Sequence, residues 1–391
     1  MKNEKNLAFS KGMPSAFIVS SPLQLLCAIE AEHEFEIKEK KYVLVLRPNW
    51  PRNEQLISMA KSCSLDYDIV YTDDITIQAA KDHVGFFSDI NGGQKYNRIF
   101  VGDYYESFSN IIAYKYVCNG TIILYLDDGN ASVSVLQGKS IIPRPQNLRK
   151  KLHWWRSGRF RYDKEKEKIS GFLEANGAIC SNCFFTIFYN VKSKKFILYP
   201  NSFRYLRESF QENAESKKVV LVVGPIFSRI PEINHIEEED MEAVFWAKLL
   251  RLKLTYPNMP ILYIPHGRDT NQHIPAFCQL LGIEYVRISE AVEWFAIKNS
   301  IKSIAVFGQC STALYTLKKL FPEAIVVNWV IDKRIDNPNY YPEKRKAKEY
   351  RLGGIEEERI LFPISVERKK ELLREDLNSI VEWVKSFVKR K

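Results

Sequence analysis

A chain of 391 residues exceeds what one hydrophobic core usually organises, and 46% hydrophobic with 27% charged residues excludes wholesale disorder. No apolar run reaches the roughly 18 residues that span a bilayer, and seven cysteines, an odd number scattered along the chain, do not make a disulfide framework. The net charge of +10 points to an anionic partner without choosing among nucleic acid, acidic lipid, and an acidic glycan or nucleotide.

Met1–Ser15 is polar and charged, and the apolar stretch after it is cut by Ser20-Ser21-Pro22, so no secretory signal is read and a cytoplasmic location is expected. The first 130 residues then alternate short β-branched runs with amphipathic stretches, the rhythm of a parallel sheet wrapped by helices. Phe17–Ser20, Tyr42–Leu46, Asp68–Tyr71, Arg98–Gly102 and Thr121–Leu126 read as strands. Pro22–Phe35, Asn53–Ser62 and Ser109–Val117 read as helices, the first with Ser21 as N-cap and Pro22 at its first position.

Residues 135–170 lose that rhythm and become basic and aromatic around Trp154, Trp155 and Phe160, which reads as a loop or short helices. A hairpin-like pair, Cys183–Phe188 with Lys195–Tyr199, follows, and the polar helical piece Phe203–Lys218 reads as an inter-domain connection. Cys180 and Cys183 form a C-x-x-C, but no second close pair accompanies it, so small buried thiols are expected there and no metal site.

The α/β rhythm restarts at Val219. Strands are expected at Val219–Val223, Pro260–Ile264, Tyr285–Ile288, Ser303–Phe307 and Ala324–Asn328, and helices at Glu238–Thr255, Ile274–Leu281, Ala291–Lys298 and Thr312–Leu320. The chain thus divides into 1–205, 206–365 and a basic amphipathic helix within 366–391, Val366–Lys389. Two Rossmann-like α/β domains in one chain resemble the GT-B glycosyltransferase architecture, in which the domains face a central cleft.

Three expected strand ends carry polar residues at the carboxyl edge, where open α/β sheets bind ligands. They are Asp127-Asp128-Gly129, Pro265-His266-Gly267-Arg268-Asp269 and Gly308-Gln309-Cys310-Ser311-Thr312. Singly, each has an ordinary structural reading as a turn, a surface histidine and a helix N-cap. Together and in this order they resemble the bacterial sialyltransferases and polysialyltransferases of lipooligosaccharide and capsule biosynthesis. That family has an acidic-acidic-Gly motif, a histidine motif and a hydroxyl pair in the same succession, and Ser289-Glu290 falls where it has a Ser and Glu that contact the donor. The opening Ser-Ser-Pro-Leu-Gln-Leu-Leu at Ser20–Leu26 is similar as well. Two departures are His266-Gly267 for the family's His-Pro and Ser311-Thr312 for its Ser-Ser.

The resemblance implies an inverting transferase that uses CMP-sialic acid. Asp128 would be the general base in an N-terminal acceptor domain and His266 the acid at the donor phosphate. Ser311, Thr312, Glu290, Ser289, Gly224 and Gly267 would bind the donor in the C-terminal domain. No cofactor and no divalent metal is implied, because the leaving group has one phosphate. The partners would be a CMP-nonulosonate donor, a glycan or glycolipid acceptor and, through the C-terminal helix, the anionic inner face of the cytoplasmic membrane. Nucleic acid is not expected, and a homodimer is left open. The same motifs suit transfer of Kdo, legionaminic or pseudaminic acid, and a different class is a non-catalytic glycan-binding subunit of an assembly complex.

Overall fold

The computed structural model describes residues 6–50, 52–72, 94–138, 164–211, 216–227, 238–309, 311–332 and 353–361. The chain forms two compact units. The first comprises 1–213 together with Ser289–Ile297, and the second comprises Ala214–Ile288 together with 298–391.

The first unit holds a seven-stranded sheet: β1 (Ser15–Val19), β2 (Lys40–Leu46), β3 (Tyr67–Tyr71), β4 (Tyr96–Val101), β5 (Val117–Tyr125), β6 (Ile179–Thr186) and β7 (Ile197–Pro200). Its order is β3-β2-β1-β4-β5-β6-β7, and every neighbouring pair is parallel. This is the Rossmann order with one strand added, so the strand order reverses between β1 and β4, the point at which such sheets take ligands. β1 is buried along its whole length, as a central parallel strand covered on both faces must be. Phe17 stacks between Tyr42 and Phe100, each at 4.9 Å.

The helices of this unit are α1 (Pro22–Glu34), α2 (Arg52–Ser62), α3 (Ser107–Ile112), α4 (Asn130–Leu136), α5 (164–175) and α6 (Arg204–Gln211). Ser21 caps α1 as expected, its hydroxyl accepting from the Gln24 N–H. The buried polar residues of α1 are each satisfied. Glu30 accepts the Leu206 and Tyr205 N–H groups at the start of α6, and Glu32 accepts from Tyr42 Oη and Lys40. Arg98 of β4 is fully buried, and among the described residues no carboxylate accepts from its guanidinium. Its guanidinium donates to Ser15 Oγ and to the carbonyls of Ala8, Ser10 and Met13, and lies 5.0 Å from the rings of Phe35 and Phe100.

The second unit holds β8 (Lys217–Val223), β9 (Ile261–Ile264), β10 (Glu284–Tyr285), β11 (Ile301–Gly308), β12 (Ile325–Asp332) and β13 (Glu356–Leu361). The order β10-β9-β8-β11-β12-β13 is again parallel throughout, with its switch between β8 and β11. Its helices are α7 (Glu238–Thr255), α8 (His273–Leu281) and α10 (Thr312–Leu320); α9 (Val292–Lys298) begins in the segment that packs with the first unit. Phe245, Trp329, Phe307 and Phe227 build the core around edge-on and tilted ring contacts.

The α/β class and the two Rossmann-like halves are therefore as expected. Four local readings are corrected. The pair after Cys183 is not a hairpin: Cys183 to Thr186 run parallel to Ile197 to Pro200. The ten residues between the strands are enough to return the chain, since each can span about 3.3 Å. The helix expected at Ser109–Val117 begins at Ser107, because Glu106 caps it by accepting the Phe108 and Ser109 N–H groups, and Val117 already belongs to β5. β10 is only two residues long, where Tyr285–Ile288 is expected. β13 is unexpected; its charged sequence is held because Glu358 receives Lys248, Arg251 and the Trp329 indole N–H. The helix expected at 366–389 and the aromatic segment with Trp154, Trp155 and Phe160 lie outside the described residues. Among the described residues no helix is long and apolar enough to cross a membrane.

Candidate functional site

At the carboxyl edge of the first sheet, β5 runs into Leu126, whose N–H still bonds the Val101 carbonyl of β4. Asp127 and Asp128 follow, and Gly129 takes φ +67° and ψ −144°, a backbone region open only to glycine, before α4 begins. That turn sends the two carboxylates into different surroundings.

Asp127 is fully buried. One of its oxygens accepts the Thr186 hydroxyl and the other the Ile187 N–H, both at 2.7 Å. Burial nonetheless pushes its carboxyl up to about 7, outweighing those bonds. Asp127 thus ties β5 to the end of β6.

Asp128 is only partly buried. Its N–H donates to Ser132 Oγ at 2.7 Å, and its carboxylate accepts Gln24 Nε2 at 2.8 Å. Gln24 is held in turn by Ser20, whose N–H and hydroxyl both donate to Gln24 Oε1. The amide lies where a side chain at position 102 would be: a Cβ on Gly102 would stand 2.1 Å from Gln24 Oε1. Gly102 is therefore required for Gln24 to reach Asp128.

Asp103, directly after Gly102, is a second carboxyl at this edge. Its own Oδ1 accepts the Tyr105 N–H at 2.9 Å. Burial and the charge of Asp128 raise it from its ordinary value toward neutrality, opposed by that N–H and by Arg47. Beneath the same loop, Asn110 donates to the carbonyls of Asp103, Tyr104 and Glu106, and its own oxygen accepts Lys166 Nζ at 2.6 Å. The Lys166 ammonium also donates to Tyr125 Oη at 2.6 Å and lies 4.8 and 4.4 Å from the rings of Tyr104 and Tyr125. Burial brings it down to about 7.

In the second unit the expected donor residues gather at one sheet edge. Gly224 follows β8, His266 and Gly267 follow β9, and Ser311 and Thr312 open α10 just after β11. His266 Nδ1 accepts the Arg268 N–H at 3.1 Å, so the neutral ring carries its proton on Nε2. The loop is fixed by Asp269, which accepts the Phe227 N–H through its carboxylate and gives its carbonyl to Arg287. Ser311 is the N-cap of α10, its hydroxyl accepting from Ala313 N. At Gly224 the approaching group is the Tyr263 hydroxyl, 2.3 Å from where a Cβ would lie, and the Gly224 N–H bonds the Ile264 carbonyl. Tyr263 Oη and Gln309 Oε1 are buried at this edge with no hydrogen-bond partner among the described residues. Cys310 lies outside the described residues.

Ser289 is exposed and Glu290 partly buried, and both precede α9 in the segment grouped with the first unit, unlike the other expected donor residues. Among the described residues no three His, Cys, Asp or Glu side chains are grouped as a metal-ligand set. Cys180 and Cys183 are not joined in a disulfide, and Cys180 donates to the Ser170 carbonyl. Gln24, Asp103 and Lys166 were not legible as site residues. Gln24 lies inside the similar N-terminal stretch, which is the one signal that could have singled it out.

No family model matches the sequence, and no curated protein matches it. Several solved structures are similar in the course of their chains. An α/β-galactoside α-2,3-sialyltransferase from Photobacterium phosphoreum aligns with 88% of this chain and 98% of its own at 9% identity and a TM-score of 0.44. A Photobacterium 2,6-sialyltransferase in complex with CMP and lactose aligns with 88% and 78% at 12% identity and 0.47. The UDP-GlcNAc 2-epimerase of Neisseria meningitidis, bound to UDP-GlcNAc, aligns with 94% and 100% at 11% identity and 0.41.

Proposed function

We propose that the protein is an inverting glycosyltransferase of GT-B type that moves sialic acid from CMP-sialic acid to a hydroxyl of a bacterial surface glycan, in lipooligosaccharide or capsule. The observation that carries this reading is the unequal treatment of two adjacent carboxylates just after β5, at the carboxyl edge of the first sheet. Asp127 is consumed in holding the sheet together, whereas Asp128 is presented by a dedicated glutamine for which Gly102 leaves room. A positioned, solvent-reachable carboxylate is what a general base requires.

In this reading Asp128 takes the proton of the acceptor hydroxyl as its oxygen attacks the anomeric carbon. The bond from that carbon to the phosphate oxygen breaks on the opposite face, CMP leaves with the electron pair, and the configuration inverts. In the second unit, the Nε2–H of His266 donates a hydrogen bond to the departing phosphate, the proton staying on the neutral ring. The α10 N-terminus with Ser311 and Thr312 favours the negative charge that grows there. The unpartnered Tyr263 hydroxyl and Gln309 oxygen support a polar ligand at this edge, since buried polar atoms are rarely left unmatched. The same residues serve any CMP-nonulosonate, including Kdo, legionaminic and pseudaminic acid, because none of them addresses the sugar's distinguishing substituents.

The test is CMP release from a panel of CMP-nonulosonates with and without acceptor glycans. Asp128→Asn should abolish transfer while leaving CMP affinity nearly intact, and His266→Ala should lower turnover and weaken CMP binding as well. Activity should persist in EDTA. Near-normal transfer by folded Asp128→Asn removes the base assignment, and no CMP release from any donor removes the function.

A further inference from the structure

We infer that Asp103 is a positioning residue for Asp128: a second carboxyl on the neighbouring strand end whose charge sets how strongly Asp128 takes up the acceptor proton. The inference rests on the reading of Asp128 as the base.

Its geometry comes from the sheet. Val101 pairs with Tyr125 across β4 and β5, and the ladder continues through Leu126 N–H to the Val101 carbonyl. Asp103 and Asp128 therefore leave adjacent strands within two or three residues of the last shared bond, on the edge where the sheet order reverses. Glycine at 102 brings Gln24 over one side of this edge and onto the Asp128 carboxylate.

The other side is a built support. Asn110 grips three carbonyls of the 103–106 loop, including that of Asp103, and is itself held by the buried Lys166. The Asp103 carboxylate is oriented by the Tyr105 N–H, which donates to its Oδ1. The charges that face it are Asp128 from the β5 end, Glu106 from the start of α3, Arg47 from the end of β2 and, from α5, Lys166.

Across this edge the Asp128 charge acts on the ionisation of Asp103. Burial and the Asp128 charge both favour the protonated form of Asp103. As the pH rises through neutrality Asp103 loses that proton, and its new negative charge makes Asp128 a stronger proton acceptor. The rate of a base-limited transfer should then rise over the same range.

Asp103→Asn separates charge from structure, because the amide oxygen still accepts the Tyr105 N–H. With saturating donor, the wild-type kcat should rise through neutral pH, and that rise should be absent in Asp103→Asn with donor KM changed less than about twofold. Asp103→Glu should restore part of it. Superimposable pH profiles for wild type and Asp103→Asn, with Asp128→Asn inactive, overturn the inference and leave the base assignment standing. Active Asp128→Asn instead overturns the base assignment. A readout that needs no substrate is 13C NMR of aspartate carboxyls, with Asp103 assigned by the loss of its signal in Asp103→Asn. Its midpoint should fall by roughly 1 pH unit when Asp128 is replaced by Asn; an unmoved midpoint shows that the two carboxyls do not interact and overturns the inference.

Discussion

Replacing Asp127 by Asn should invert the usual expectation that removing a buried, doubly bonded carboxylate destabilises a protein. The Asp127 carboxyl sits at about 7 rather than the ordinary 3.8, because complete burial outweighs the bonds from Thr186 and Ile187. Each tenfold change in proton affinity is about 1.36 kcal/mol, so ionising Asp127 in the folded state costs ~4 kcal/mol relative to the unfolded chain. The folded state binds the proton more tightly, so stability falls as pH rises from about 4 to about 7 and stays low above that. An Asn side chain carries no charge at any pH; its oxygen can accept the Ile187 N–H and its NH2 can donate to Thr186. The assay is the urea midpoint of wild type and Asp127→Asn at several pH values between about 4 and 8, read as the difference between the two. Taking that difference cancels the other raised carboxyls, Glu30 and Asp103. Asp127→Asn should gain up to ~4 kcal/mol on wild type across the range, whereas Asp127→Ala should stay destabilised throughout because it strands two buried donors at roughly 1–3 kcal/mol each. A wild-type-minus-Asn difference that does not change with pH would refute the burial argument.

Gly102→Ala should displace Gln24 without unfolding the chain, since the colliding atoms are the end of a flexible side chain. Transfer should fall by about tenfold or more at unchanged Tm, because the base loses its orienting bond; unaltered kcat would show that Gln24 does not matter. Lys166→Met should remove a rise in stability between about pH 7 and pH 10. The wild-type ammonium, brought down to about 7, releases its proton more readily when folded, so folding is favoured as the pH climbs. Parallel wild-type and Lys166→Met stability profiles over that range would contradict its burial.

The helices α7 and α10 have the bounds read from sequence; in α10 an apolar stripe coincides with a sharp end signal, Ser311 as a true N-cap. The strands of both sheets were equally plain where they are apolar throughout. β13 was not, because Glu356, Glu357 and Glu358 deny it any strand signature. Its reason for existing lies in Lys248 and Arg251, a hundred residues away in the chain. Gln24 and Asp103 were illegible for the same cause. A glutamine in an amphipathic helix and an aspartate after a strand are ordinary residues until β1 and β4 become neighbours. Asp128 stands out in the sequence because its motif is contiguous, while the glutamine that bonds its carboxylate comes from α1, more than a hundred residues earlier.

The grouping of Ser289–Ile297 with the first unit bears on how the protein is made. Trp294, from α9, donates its indole N–H to Ser62 Oγ of α2, so one surface helix of the N-terminal fold is encoded deep within the second half of the gene. A ribosome that has finished residue 213 must add roughly 80 more before that helix exists, on the order of ten seconds at ordinary elongation rates. During this interval the N-terminal sheet must persist without its last helix. The two halves are therefore not separable by cutting the chain once: any single cut between them leaves the first without a piece of itself or carries all three of the second's first strands along with it.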